Sequence, residues 1–216
     1  MYIAGVKTFR ALIVDYGGVL TNPLAEAMGD WLRSDRIDVE RFRSLMRGWL
    51  SADSVRNIAH DLETGRLAPE EFERLFAAQL SRADGTTPEA EGLLARMFAG
   101  FRADTGMAGV VRRARQAGVR TGLLSNSWGF DYPRDGWAEL FDATVISGEV
   151  GLRKPDPAIY LHTCAQLGVP PEACVFVDDL RPNVRAAVGV GMVGVHHTDI
   201  ESTIGELEVL LDLPLR

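Results

Sequence analysis

Residues 11–21 read Ala11-Leu12-Ile13-Val14-Asp15-Tyr16-Gly17-Gly18-Val19-Leu20-Thr21. Four consecutive apolar residues bounded by a turn suit a short strand buried on both faces of a parallel sheet. Asp15 stands at the carboxyl end of that strand, and the glycines open the turn behind it. Ligands of open α/β sheets bind outside the carboxyl ends of the strands, so Asp15 is aimed into the ligand crevice.

Working outward, further apolar runs predict strands at Val119 to Leu124, Ala143 to Ser147 and Cys174 to Val177, with a weaker one at Met192 to Val195. The first strand extends over Phe9 to Val14. Helical patterns at Met107 to Gln116, Pro157 to Leu167 and Pro182 to Val190 separate the later strands. Strands alternating with amphipathic helices predict an α/β fold, a doubly wound, Rossmann-like parallel sheet. Gly118 and Gly168 sit where helix-ending glycines belong.

About a hundred residues separate the first two strands, too many for a simple crossover. Trp31, Leu32, Phe42, Leu45, Met46, Trp49, Leu50, Phe72, Leu75, Phe76, Leu80, Leu93, Leu94, Met97 and Phe98 recur at spacings of three and four. The stretch is therefore expected to be a helical subdomain, residues 22–101, inserted into an α/β core made of 1–21 and 102–216. An insert leaving just after Asp15 lies over the strand ends, as a lid would. A last amphipathic helix follows Ile200.

The chain has 216 residues, 46% apolar and 25% charged, with a formal net charge of −7. That length supports one core plus an insert. The negative charge argues against general binding to nucleic acid or anionic membrane, which needs clustered cations. Cys164 and Cys174 lack metal or redox spacing and read as core thiols in a reducing compartment. With no signal-like or membrane-spanning segment, a soluble cytoplasmic protein is expected.

Four strand ends deliver polar groups: Asp15; Ser125-Asn126-Ser127; the loop Gly148 to Pro157 carrying Lys154-Pro155-Asp156-Pro157; and Asp178-Asp179. Each has an ordinary structural reading alone, Asp156 as a helix cap for example. Together they describe a site. Three carboxylates converging on one crevice repel unless a cation joins them. Hard oxygen donors beside an open face suit Mg²⁺. Lys154 adds a fixed positive charge and Ser125 a hydroxyl donor, as a phosphoryl group requires. Asp15 is then placed to attack phosphorus as a carboxylate nucleophile.

In these four segments the chain resembles the haloacid dehalogenase superfamily of hydrolases, and the insert resembles the helical cap of its phosphatase-containing subgroup. The resemblance implies Asp15 as nucleophile and metal ligand, Gly17 as a ligand through its carbonyl, and Asp179 as the other protein ligand. Asp178 is implied beside the metal, bonding to its water or to Lys154. It further implies that Ser125 and Asn126 hold phosphoryl oxygens and that Lys154 neutralises the phosphate and Asp15. Asn183 is expected to order the acidic loop.

Gly17 departs from the pattern. Most phosphatases and mutases of the superfamily carry an Asp there, which protonates the leaving oxygen and then activates water. Glycine does neither, and such acid–base catalysis typically contributes about 10²–10⁴-fold. A mutase is disfavoured. So is a phosphonate hydrolase, whose cap lysine has no counterpart, since residues 22–101 contain no lysine. The expected function is Mg²⁺-dependent hydrolysis of a small phosphorylated metabolite, a sugar phosphate among the candidates, with a leaving group that needs little protonation. The alternatives are a binding protein that kept the fold and lost turnover, and a 2-haloacid dehalogenase, against which the metal-type acidic pair argues. Tyr16, His60 and Asp61 are weighed as substitutes for the missing acid, and Trp128 and Arg66 as substrate contacts. His196 and His197 read as scaffold. Substrate identity and the choice between monomer and homodimer stay open.

Overall fold

Asp15 owes its position to the central strand of the sheet. A computed structural model of the chain describes residues 9–50, 57–129 and 131–216. After β1 (Ala11–Val14) come five helices: α1 (Leu24–Ser34), α2 (Val39–Leu50), α3 (Ile58–Glu63), α4 (Pro69–Ala77) and α5 (Leu93–Phe98). The chain continues through α6 (Thr105–Gln116), β2 (Arg120–Ser125), α7 (Trp137–Leu140), β3 (Ala143–Ile146) and α8 (Ser147–Val150). It ends with α9 (Pro157–Leu167), β4 (Cys174–Asp178), α10 (Arg181–Gly189), β5 (Val193–His196) and α11 (Ile200–Leu211). Residues 51–56 of the expected helical insert, and the Leu50 side chain, lie outside the described residues.

The five strands are parallel in the order β3-β2-β1-β4-β5, so β1 is flanked by β2 and β4. The period of two divides β1 between two cores. Leu12 and Val14 pack with Met107, Val110 and Leu207 on one face, and Ala11 and Ile13 with Ile159, Tyr160 and Phe176 on the other. Burial on both faces explains the unbroken apolar run. Strand order reverses between β1 and β4, and Asp15 and Asp178 stand on either side of that crevice, where such sheets bind ligands.

Helix ends follow their sequence signals. Asp156 caps α9 by accepting from the Ala158 N–H at 2.9 Å, with Pro157 in the first turn and Gly168 left-handed at the end. The segment between β1 and α6 has its own apolar cluster around Trp31, Phe42, Phe72, Phe76, Leu93 and Met97. Its entry and exit run side by side: the Asn22 N–H donates to Arg102 O at 3.0 Å, and the Arg102 N–H to Asn22 Oδ1 at 2.9 Å. Trp128, in the loop after β2, joins this cluster with its ring 6.0 Å from Phe72 and 6.1 Å from Phe98. Among the described residues, no helix is long and apolar enough to cross a membrane. Cys164 and Cys174 are buried free thiols, their sulfurs 3.7 Å apart.

Candidate active site

The end of β1 delivers a carboxylate that its surroundings hold firmly. Asp15 Oδ1 accepts from the Tyr16 N–H at 2.7 Å and lies 2.8 Å from Lys154 Nζ. Lys154 comes from the loop between α8 and α9 and is 1% exposed. Its Nζ also donates to Asp178 Oδ2 at 2.7 Å, at the end of β4, and lies 5.6 Å from the Phe176 ring centroid. One oxygen each of Asp15, Asp178 and Asp179 can be chosen within 4.8 Å of one another.

The two neighbouring acids have different settings. Asp178 is sealed: besides Lys154, it accepts from Asn183 Nδ2 at 3.0 and 3.1 Å and from the Leu180 N–H at 2.8 Å. Asn183 is itself fixed through its carbonyl, which accepts from the Tyr160 hydroxyl at 2.9 Å. Asp179 is partly exposed, and its backbone carbonyl lies 2.9 Å from His196 Nε2. Gly18 has φ +74°, and a Cβ there would fall 2.5 Å from Asp179 Oδ2, so close approach of the turn to the acid requires glycine. An added Cβ at Gly17 would meet no atom within 4 Å.

Electrostatics follow from one ammonium facing three carboxylates in a buried place. Burial raises the Asp15 pKa to about 8 against the pull of Lys154, with Asp178 and Asp179 adding to the rise. Burial and Asp178 together raise Asp179 to about 6. Burial alone would lower Lys154, yet Asp15 and Asp178 push it above the ordinary lysine value, so it stays charged. The cluster carries surplus negative charge on hard oxygen donors. That donor set fits a small divalent cation such as Mg²⁺.

The end of β2 supplies the polar groups opposite. Ser125 Oγ and the Tyr132 hydroxyl are 2.9 Å apart. Asn126 is bound to the Lys154 main chain in both directions: its Oδ1 accepts from the Lys154 N–H at 2.9 Å, and its Nδ2 donates to Lys154 O at 3.0 Å. Thus the amide expected on phosphoryl oxygens also braces the lysine loop. Every residue expected from sequence to build the site, Asp15, Gly17, Ser125, Asn126, Lys154, Asp178 and Asp179, lies at the carboxyl edge of the sheet.

Three further residues were not anticipated. Glu63, at the end of α3, is buried, pairs with Arg153 Nε at 2.5 Å and lies beside the Asn126 amide. Ser147 Oγ donates to the Glu63 carbonyl and accepts from the Ser127 N–H at 2.7 Å, tying the helical segment to two strand-end loops. Tyr132 reaches Ser125 from a loop. Ser147 carried a signal, since it directly follows the apolar run of β3 much as Ser125 closes that of β2. Glu63 and Tyr132 carried none. Of the secondary candidates, Trp128 is packing in the helical cluster, Arg66 binds Asp61 at 2.9 Å, and His197 Nδ1 lies 2.8 Å from Thr203 Oγ1.

A carboxylate, a buried lysine and an acid pair thus meet at the carboxyl edge of a parallel sheet, and the chain falls in a class of hydrolases. Residues 7–191 match the family described as haloacid dehalogenase-like hydrolase, and the chain belongs to that family. Among curated relatives, the sesquiterpene phosphatase astK of Aspergillus oryzae is 28% identical over 217 residues, covering 94% of this chain and 97% of that protein. Mouse acyl-CoA dehydrogenase family member 10 is also 28% identical over 98% of this chain, which spans 20% of that longer protein. A haloacid dehalogenase family enzyme of Bacteroides thetaiotaomicron, solved with magnesium and inorganic phosphate, superposes with a TM-score of 0.63. At 20% identity over 87% of this chain and 93% of that one, the likeness establishes the shared fold.

Proposed function

We propose that the protein is a Mg²⁺-dependent phosphomonoesterase that works through an aspartyl-phosphate on Asp15. The observation that carries the reading is the contact of one buried ammonium, Lys154, with Asp15 and Asp178, beside a third carboxylate on Asp179. Metal ligation falls to Asp15, Asp179 and the Gly17 carbonyl, with Asp178 supporting them through Lys154. Bound Mg²⁺ would supply neutralisation of phosphoryl charge.

The protein's own groups account for the remaining chemistry. Both polar contacts of Asp15 use Oδ1, which leaves Oδ2 to attack phosphorus. Lys154 draws the Asp15 carboxyl toward its ionised form against its buried surroundings and lies beside the charge that develops on the phosphoryl oxygens. Ser125 Oγ–H donates to one phosphoryl oxygen, and Asn126, bracing Lys154, has a second amide hydrogen for another. Water then displaces the Asp15 carboxylate from phosphorus, releasing phosphate.

Residues 22–101 act as a cap over a core of 1–21 and 102–216, a division supported by the paired linkers at Asn22 and Arg102. The substrate is a small phosphorylated metabolite. Charged and polar residues, Asp131, Arg134, Asp135 and Glu149, line a cavity of about 500 Å³ beside Tyr132, which favours a hydroxylated leaving group such as a sugar. The test is phosphate release from sugar, nucleotide and aryl phosphates with and without Mg²⁺. Release that needs Mg²⁺ and disappears in Asp15→Asn supports the reading. Phosphate-mimic binding without turnover on any ester would favour a binding protein, and metal-free halide release from a 2-haloacid would favour a dehalogenase.

A further inference from the structure

Gly17 leaves the departing oxygen without a carboxylic acid, and the acids and bases nearest in the helical segment are engaged elsewhere. His60 lies 3.5 Å from Asn57 Nδ2, Asp61 is held by Arg66, and the Glu63 carboxylate is paired with Arg153. Tyr16 turns its ring into the core between Tyr132 and Trp137.

Tyr132 is placed differently. Its hydroxyl is 2.9 Å from Ser125 Oγ and 3.4 Å from the Asn126 carbonyl, the two residues at the end of β2. Its ring is held edge-on by Tyr16 at 5.0 Å and by Trp137 at 5.7 Å, so the hydroxyl has a fixed address. The same residue lines the polar cavity that includes Ser127, Arg134 and Asp135. The phenol therefore stands at the boundary between the hydroxyl that holds phosphate and the space open to the rest of the substrate. At Gly17, where a carboxylate would otherwise enter, no atom lies within 4 Å of an added Cβ.

We propose that the Tyr132 hydroxyl donates the proton to the leaving oxygen, in place of the carboxylic acid that Gly17 lacks. This rests on the phosphatase reading above. In the first step Asp15 Oδ2 forms a bond to phosphorus, the bond from phosphorus to the alcohol oxygen breaks, and the phenolic hydrogen passes to that oxygen. In the second step the phenolate takes a proton from the water whose oxygen attacks phosphorus, and Asp15 leaves as carboxylate. One ester and one water give one alcohol and one phosphate, and Tyr132 returns to the phenol. Burial pushes the Tyr132 hydroxyl above the ordinary tyrosine range, so it holds its proton until the departing alkoxide, a stronger base than a phenolate, takes it. The Ser125 hydroxyl and Lys154 act in the opposite sense and favour the transient phenolate, while the Asp15 carboxylate opposes it until its charge is spent on phosphorus.

The experiment is kcat/KM for wild type, Tyr132→Phe and Tyr132→Phe/Gly17→Asp, with Mg²⁺, on alkyl, sugar and aryl phosphates of graded leaving-group acidity. Tyr132→Phe is expected to lose about 10²-fold or more on alkyl phosphates and only a few-fold on a nitrophenyl phosphate, the signature of a lost general acid. The double variant should recover alkyl hydrolysis. A loss of equal size across the series, or no loss, overturns the proposal: a residue that merely positions Ser125 would affect all esters alike. If Tyr132→Phe does not fold, a ring-fluorinated tyrosine at 132 keeps the packing and makes the phenol more acidic. It should change the leaving-group dependence, and an unchanged dependence overturns the proposal. Wild type without Asp15-dependent phosphate release on any ester would instead overturn the phosphatase reading itself.

Discussion

Lys154 Nζ lies 2.8 Å from Asp15 Oδ1, with the lysine 1% exposed. An ammonium so deeply buried is tolerated only because carboxylates surround it. It opposes the rise that burial imposes on the Asp15 carboxyl and offsets part of the repulsion among three acids, so the one contact bears on both stability and the charge of the site.

Lys154→Met should therefore damage stability as well as activity. Removing one partner of a buried pair typically costs about 3–5 kcal/mol. Chemical denaturation without metal is expected to show a loss of that order, with the larger effect above neutral pH, where Asp15 would otherwise ionise. A variant as stable as wild type would mean that Asp15 and Asp178 do not depend on the lysine.

The metal-free protein should lose stability as pH rises. Asp15 and Asp179 have folded pKa values raised to about 8 and about 6, so the folded state binds more protons than the unfolded state between the ordinary carboxylate value and those points. The stability they contribute is complete below about pH 4 and is lost as pH passes about 6 and then about 8. Thermal melts without metal should give a falling Tm across that interval, and excess Mg²⁺ should reduce the fall, because cation binding competes with protons. A Tm rising with pH in the metal-free protein would contradict the charge arrangement.

Glu63→Ala should loosen the helical segment over the strand ends. Its carboxylate is buried and Arg153 is only partly exposed, which places the pair between the surface and buried cases, a cost of about 1–3 kcal/mol. Because Glu63 also lies beside Asn126, KM is expected to rise more than kcat falls. Steady-state kinetics and denaturation together check both effects.

Gly17→Asp is expected to accelerate hydrolysis of poor leaving groups most, by up to about 10²-fold, since a carboxylic acid would then sit where the local space is open. A variant that folds, binds phosphate and gains nothing on alkyl phosphates would mean that proton supply does not limit the reaction.

The fold was legible because the unbroken apolar runs of β1 and β4 are buried on both faces, and because Asp156, Pro157 and Gly168 mark the ends of α9. The shared placement of the candidate residues was legible for a related reason: strands of a parallel sheet have one carboxyl edge, so Asp15, Ser125 and Asp178 lie along it. Contacts made by loops and by the inserted helices were not. Tyr132 returns to Ser125 through a turn without hydrophobic periodicity, and Glu63 meets Arg153 across 90 residues of chain. Asn126 bonding to the Lys154 main chain is equally invisible, because a side chain's choice between ligand and backbone depends on tertiary placement.

Acid-quenching the protein during turnover of an aryl phosphate with Mg²⁺, then mapping phosphoryl groups by mass spectrometry, asks whether Asp15 carries the phosphoryl group. A phosphoryl group is expected on the peptide carrying Asp15, absent without Mg²⁺ and absent in Asp15→Asn. Phosphate release that continues undiminished in Asp15→Asn, with no phosphoryl group on that peptide in wild type, would contradict it.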